Sequence, residues 1–184
     1  MSRIVLSAAL VAAPLSLTAC ESMGWAGTPE ANGSASATRG EFVNVMLEGH
    51  NEARRAYGTA PLAWDPALAA DAARYAQQMA RTGIYRHSPK ASRSSKQGEN
   101  IWRGSRGAFS YRTMVDLFVD ERRYFQRGPF PYNSTTGNWA DVGHYTAVIW
   151  PTTTRVGCAI ATGQRDDYLV CRYFPSGNRD GVRL

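Results

Sequence analysis

The sequence predicts an α+β fold in a single domain. Amphipathic helical stripes occupy its middle, and a β-hairpin carrying two cysteines closes it. The chain has 184 residues, enough for one folded unit and too few for two comfortable ones. Hydrophobic residues make up 43% and charged residues 20%, the balance of a globular protein with a real core.

Residues 1–20 are read as a signal outside the fold. Met1-Ser2-Arg3 is a short basic start, and Ile4 to Leu17 is apolar and rich in small residues. The stretch is too short for a comfortable membrane span and has the layout of an export signal. Its ending, Leu17-Thr18-Ala19-Cys20, resembles a bacterial lipobox, in which Cys20 is lipidated and becomes the new N-terminus. An ordinary signal peptide that happens to contain a cysteine is the alternative. Residues 21–40 are rich in Gly, Ala, Ser and Thr, have no periodicity and are read as a flexible tether. The folded domain is expected over residues 41–184.

From Glu41 to Tyr57, Phe42, Val45, Met46 and Ala53 fall close to a helical stripe, which Gly58 and Pro61 end. Asp65 before Pro66 is a helix start: a carboxylate N-cap, then a residue whose φ already suits the first turn. The helix it opens is predicted from Pro66 to about Arg81. Its stripe is Leu68, Ala72, Tyr75, Ala76 and Met79, and Gly83 is its stop. Residues 84–100 read as an irregular loop that holds two ionisable residues, His87 and Glu99. Ile101-Trp102 reads as the beginning of a short strand. Ser110 is placed to cap a third helix, Tyr111 to Phe125, with Met114, Val115, Phe118 and Phe125 on its apolar side and Glu121 turned partly inward.

A short helix is predicted at Gly143–Trp150, with Asp141 as its cap and His144 in its first turn. The positive end of a helix dipole favours neutral imidazole, the form that binds metal, although a lone histidine there is commonly inert. Val156–Ala161 and Tyr168–Phe174 read as the hairpin strands, joined by Thr162–Asp167. Pairing Cys158 directly with Cys171 centres the turn between Gln164 and Arg165, inside that loop, and a disulfide in this register would contribute roughly 2–4 kcal/mol.

The formal charge of the full chain is +6. Residues 1–20 carry one basic residue, Arg3, and no acid, so their removal leaves 20 Lys+Arg against 15 Asp+Glu, or +5. The basic residues are scattered, which argues against nucleic acid and for a solvated surface mildly attracted to anionic membranes or cell-wall polymers. Of three cysteines, lipidation accounts for Cys20, and Cys158 and Cys171 can pair in an oxidising compartment.

Several stretches resemble the CAP superfamily: the cysteine-rich secretory, antigen 5 and pathogenesis-related class 1 proteins, also known by their SCP domain. Gly143-His144-Tyr145-Thr146-Ala147-Val148-Ile149-Trp150 is similar to its first signature. Cys171-Arg172-Tyr173-Phe174-Pro175-Ser176-Gly177-Asn178 is similar to its second. His50-Asn51-Glu52-Ala53-Arg54, Pro61 to Leu68 and Gly98-Glu99-Asn100 match further landmarks, and the likeness spans about residues 41 to 178. It implies a three-layer α-β-α sandwich around a small antiparallel sheet. It also implies a cleft with two histidines and two glutamates, which here are His87, Glu99, Glu121 and His144. Ala147 stands where the family often has Gln, and Arg172 where Asn is common.

Two neutral imidazoles, His87 and His144, make a partial site for zinc or another divalent cation, with positions left open for water. Glu99 and Glu121 could complete the ligand set or act as general bases. Together with the lipobox-like ending, the resemblance implies an exported CAP/SCP protein anchored to the membrane through Cys20, or a secreted one; Glu21 after Cys20 does not look like an inner-membrane retention residue, which favours the outer membrane over the inner. Its cleft would take a divalent metal, or a lipid, sterol or peptide ligand. A metal-dependent hydrolase acting on peptides or cell-envelope polymers is the alternative, and an inert His/Glu network within an interaction module is another. There is no Gly-x-Ser-x-Gly elbow and no free cysteine suited to be a nucleophile.

Overall fold

The computed structural model describes residues 31–93 and 96–184. Residues 1–30, which hold the stretch read as an export signal, Cys20 and the first part of the segment read as a tether, lie outside the described residues. Among those described, no helix is long and apolar enough to cross a membrane.

Among the described residues, four strands form one sheet: β1 (Ala63–Trp64), β2 (Gly98–Ser105), β3 (Arg155–Thr162) and β4 (Asp166–Phe174), in the order β1-β3-β4-β2. The hairpin has the predicted register, with Cys158 opposite Cys171 and the two joined by a disulfide. β2 pairs antiparallel with β4, whereas β1 runs parallel to β3. The sheet is therefore mixed rather than wholly antiparallel. The parallel strand delivers the chain into the next helix: Asp65 N–H donates to Val156 O at 2.8 Å, and the Asp65 carboxylate then accepts from Ala67 N and Leu68 N.

Helices α1 (Ala31–Tyr57), α2 (Pro66–Thr82), α3 (Tyr111–Val119) and α4 (Gly143–Ile149) cover the two faces of the sheet. Strand side chains alternate between faces and so build two cores. On one face the predicted α2 stripe packs on Ile101, Tyr168 and Val170. On the other, Phe42, Met46, Val115, Phe118, Val148 and Ile149 from α1, α3 and α4 pack on Trp102, Val156, Leu169 and Tyr173. This is the expected three-layer α-β-α arrangement. The start of α2 lies so close to β3 that a Cβ on Gly157 would come within 2.5 Å of Asp65 O. At its other end Gly83 takes φ 69°, the left-handed stop that glycine accepts readily.

Four elements differ from the sequence reading. α1 begins at Ala31, inside the segment read as a tether, since no proline interrupts propagation of an established helix there. β2 spans eight residues and takes in Glu99, which the reading left in a loop. Helix α3 ends at Val119, and Glu121 lies on a following 3₁₀ turn, Asp120–Tyr124. Asp141 does not cap α4: its carboxylate accepts from Thr136 Oγ1 at 2.6 Å and Asn138 Nδ2 at 3.2 Å within its own turn.

One buried cation ties α1 to the end of α4. Arg54, with none of its surface exposed, donates to the carbonyls of Ala60, Val148, Trp150 and Thr153 at 2.5–3.0 Å. Burial pushes its guanidinium pKa down to about 10, yet it stays charged, and the carbonyls at the negative end of α4 suit that charge.

Candidate functional site: two histidine–glutamate pairs

Glu99 projects from β2 toward the α2 side of the sheet, and its side chain is wholly buried. Its oxygens are fully used. Oε1 accepts from His87 Nδ1–H at 2.8 Å and from Ser88 N–H at 2.9 Å. Oε2 accepts from Ser88 Oγ–H at 2.7 Å and is ion-paired with Arg172 at 3.0 Å. Burial alone would push this carboxyl up. The hydrogen bonds from His87 and Ser88, with the charges of Arg172 and Arg93, outweigh it and hold the pKa below the ordinary value. An ionised carboxylate only accepts, so Nδ1 of His87 carries the proton, and in the neutral ring Nε2 carries the lone pair. The His87 ring itself is about half exposed.

The second pair joins the 3₁₀ turn after α3 to the first turn of α4. Glu121 Oε1 accepts from His144 Nδ1–H at 2.6 Å, and its Oε2 accepts from the backbone N–H of His144 at 2.8 Å and Tyr145 at 3.1 Å. Glu121 thus caps α4 from a neighbouring element, the role the sequence reading gave to Asp141. Phe118 stacks on the His144 ring, with centroids 5.0 Å apart and planes 24° apart. The ring is fixed on one side by a carboxylate and on one face by an aromatic.

The structure therefore brings His87 to Glu99 and His144 to Glu121. Among the described residues, no three of these four bring ligand atoms within 4.8 Å of one another. The pairs are linked through Asn100, the neighbour of Glu99 on β2, whose amide donates to the backbone carbonyl of His144 at 3.1 Å. Glu99 and Asn100 are neighbours on edge strand β2, so that strand contributes a residue to each pair.

Asn100 also donates to Tyr173 Oη at 3.0 Å. The Tyr173 hydroxyl lies 2.8 Å from His50 Nε2, and His50 Nδ1–H donates to Met46 O at 2.7 Å. That carbonyl fixes the tautomer, so the tyrosine hydroxyl donates and Nε2 accepts. Burial pushes the His50 pKa down to about 4, and it pushes the Tyr173 phenol up. His50 lies within 4.8 Å of Cys158 and Cys171, but both sulfurs are committed to the disulfide, so this trio is not a metal centre in the oxidised chain. Ser88 and Phe118 act on the site without having been singled out for it. The only local signal was that Ser88 directly follows His87. Ala147, where the family often has an amide, is a core residue 6% exposed.

Residues 47–173 match the family profile described as CAP: Cysteine-rich secretory protein family. The chain is 36% identical over 136 residues to pathogenesis-related protein 1A of Nicotiana tabacum, covering 73% of this chain and 76% of that one. It is 32% identical over 139 residues to the Golgi-associated plant pathogenesis-related protein 1 of Homo sapiens, covering 75% and 85%. The fold superposes on the crystal structure of NaASP2 with Zn2+ at a TM-score of 0.64 and 23% identity, over 76% of this chain and 82% of that chain. Profile, relatives and fold agree, and the chain belongs to the CAP family of cysteine-rich secretory proteins.

Proposed function

We propose that this chain is an exported CAP/SCP-domain protein, anchored through Cys20, whose cleft binds a divalent cation between His87 and His144. One observation carries the reading. Both imidazoles are held at Nδ1 by a carboxylate, at 2.8 and 2.6 Å, which leaves Nε2 to face a ligand. Carboxylate–histidine–metal is the usual way to fix the tautomer and orientation of a zinc ligand. The two imidazoles would supply the protein ligands, and solvent would fill the remaining positions. Glu99 and Glu121 then act as positioning residues. Glu99 in particular, saturated by His87, Ser88 and Arg172, is poorly placed to move a proton. That the NaASP2 structure was obtained with Zn2+ supports the choice of zinc. The disulfide supports export, since such bonds persist in oxidising compartments.

The lipidic ligand of the same reading would lie in a cavity of about 610 Å³ between α1 and α2, lined by Phe42, Val43, Trp64, Ala73 and Ile160. Zinc titration of the mature chain tests the cation site. His87→Ala with His144→Ala should abolish zinc binding, and unchanged affinity in the double variant overturns it. Ala73→Trp should block uptake of a fluorescent fatty acid if the cavity takes an acyl chain. Cys20→Ser should release the protein from the membrane fraction, and continued membrane association would count against lipidation.

A further inference from the structure

Arg172 spends one nitrogen on Glu99 and keeps two in reserve. Its residue is 4% exposed, its Nη2 pairs with Glu99 Oε2 at 3.0 Å, and its Nε and Nη1 have no acceptor. Arg172 forms part of the wall of a cavity of about 300 Å³ on the α2 side of the sheet, together with Tyr75, Arg93 and Gln97. Arg93 donates from Nη2 to Ser88 O at 2.8 Å, and its buried Nε is likewise unpartnered. Gln97 adds the complementary group. Its amide nitrogen donates to Asp71 Oδ2 at 2.8 Å, which fixes its orientation, and its buried Oε1 accepts from nothing. At the rim Asp71 is also paired with Arg74.

Buried N–H donors without acceptors are costly in any fold and are common where a ligand completes them. The charges around this cavity are Arg74, Arg93 and Arg172 against Asp71 and Glu99, an excess of one positive charge. The free donors belong to two different arginines, so they suit an anion with acceptors in several directions more than a planar carboxylate, which takes a single guanidinium fork. The unpartnered Gln97 Oε1 asks for a donor in the same ligand. Phosphate carrying one proton offers both.

We infer that this cavity, behind Glu99 and separate from the histidine cleft, is a binding site for a protonated phosphate group, either free or as a small monoester. Arg172 and Arg93 hold its oxygens, and Gln97 accepts its P–OH. Glu99 shares Arg172 with this site and His87 with the cleft, so occupancy here would be felt by His87 as well.

The test is a titration of the mature chain with inorganic phosphate at constant ionic strength, followed through the arginine Nε–H resonances, with parallel arms of glycerol phosphate, sulfate and acetate. Saturable shifts of Arg93 and Arg172 are expected. Sulfate, which has no proton to give Gln97, and acetate should both bind more weakly than phosphate. Comparing the phosphate and glycerol phosphate arms separates a free ion from a monoester. R93Q should weaken phosphate binding roughly tenfold, as loss of one charge-assisted hydrogen bond does. This variant keeps the Arg172–Glu99 pair, so it reads the site even where R172Q fails to fold. Shifts that never saturate, equal binding of sulfate and phosphate, or unaltered affinity in R93Q would overturn the assignment.

Discussion

Glu121 and His144 are joined at two points: the carboxylate of one takes both the ring Nδ1–H and the backbone N–H of the other. A single side chain therefore starts helix α4 and aims its histidine. Helix capping and ligand orientation are usually separable, but here they share one residue.

Glu121→Ala should accordingly cost both. Loss of a cap together with a charged hydrogen bond is expected to lower stability by about 1–3 kcal/mol, read as a fall in Tm or urea midpoint. Zinc affinity should fall about 10- to 100-fold, the usual cost of removing a carboxylate behind a metal-binding histidine. Glu121→Gln keeps an acceptor for the backbone N–H groups. It should recover most of the stability and less of the affinity, and that split distinguishes positioning from simple structural support.

Stability should depend on pH through His50. Its folded pKa is lowered to about 4 from the ordinary 6.5. Between those values the unfolded chain binds a proton that the folded chain refuses, so stability falls as pH drops from 6.5 toward 4 and is unaffected by this group above 6.5. The full effect is up to about 3 kcal/mol at 1.36 kcal/mol per unit. Glu99, whose carboxyl is held below its ordinary 4.5, adds a second loss as the pH falls beneath that value. Urea midpoints measured from pH 8 to pH 4 check this. His50→Gln should start lower at pH 8 and show a flatter decline down to pH 5.

How far these features could be read from the sequence depends on where their partners lie. Helix α2 was legible because its start, Asp65-Pro66, its stripe and its stop at Gly83 are all local. The hairpin register was legible because two cysteines and a turn must agree. The start of β2, before Ile101, was missed because Glu99 and Asn100 look like loop residues until their partners are known, and Asn100 finds one at Tyr173, 73 positions away. The 3₁₀ turn carrying Glu121 defeated a helical period. The tetrad entered through family resemblance. Nothing local told which carboxylate would serve which histidine, or that Arg172 would be the counter-ion of Glu99.

The disulfide closes a hairpin whose strands are already hydrogen-bonded, and both sulfurs are buried, Cys158 at 2% and Cys171 at 0% exposure. The double variant Cys158→Ala/Cys171→Ala should keep the fold and lose roughly 2–4 kcal/mol in urea unfolding. Reductant added to the native wild type should act slowly, because the bond is out of reach until the sheet opens. Rapid reduction without unfolding would contradict the burial of this pair.

Arg54 is the strongest single test of the core. Its guanidinium meets four backbone carbonyls, two of them at the end of α4. Removing it leaves buried C=O groups with fewer donors than they need, and each such group costs about 1–3 kcal/mol. Arg54→Met should fill the volume and still lose several of these bonds, for a total on the order of 3–5 kcal/mol. Arg54→Lys keeps the charge but gathers its three donors on one nitrogen, so it cannot span carbonyls that lie around a planar fork. The lysine variant should therefore fall between wild type and methionine rather than match wild type. Because α4 carries His144, zinc affinity should fall in parallel with the loss of stability. Wild-type stability in Arg54→Lys would mean that charge alone, without the fork, holds α1 to α4.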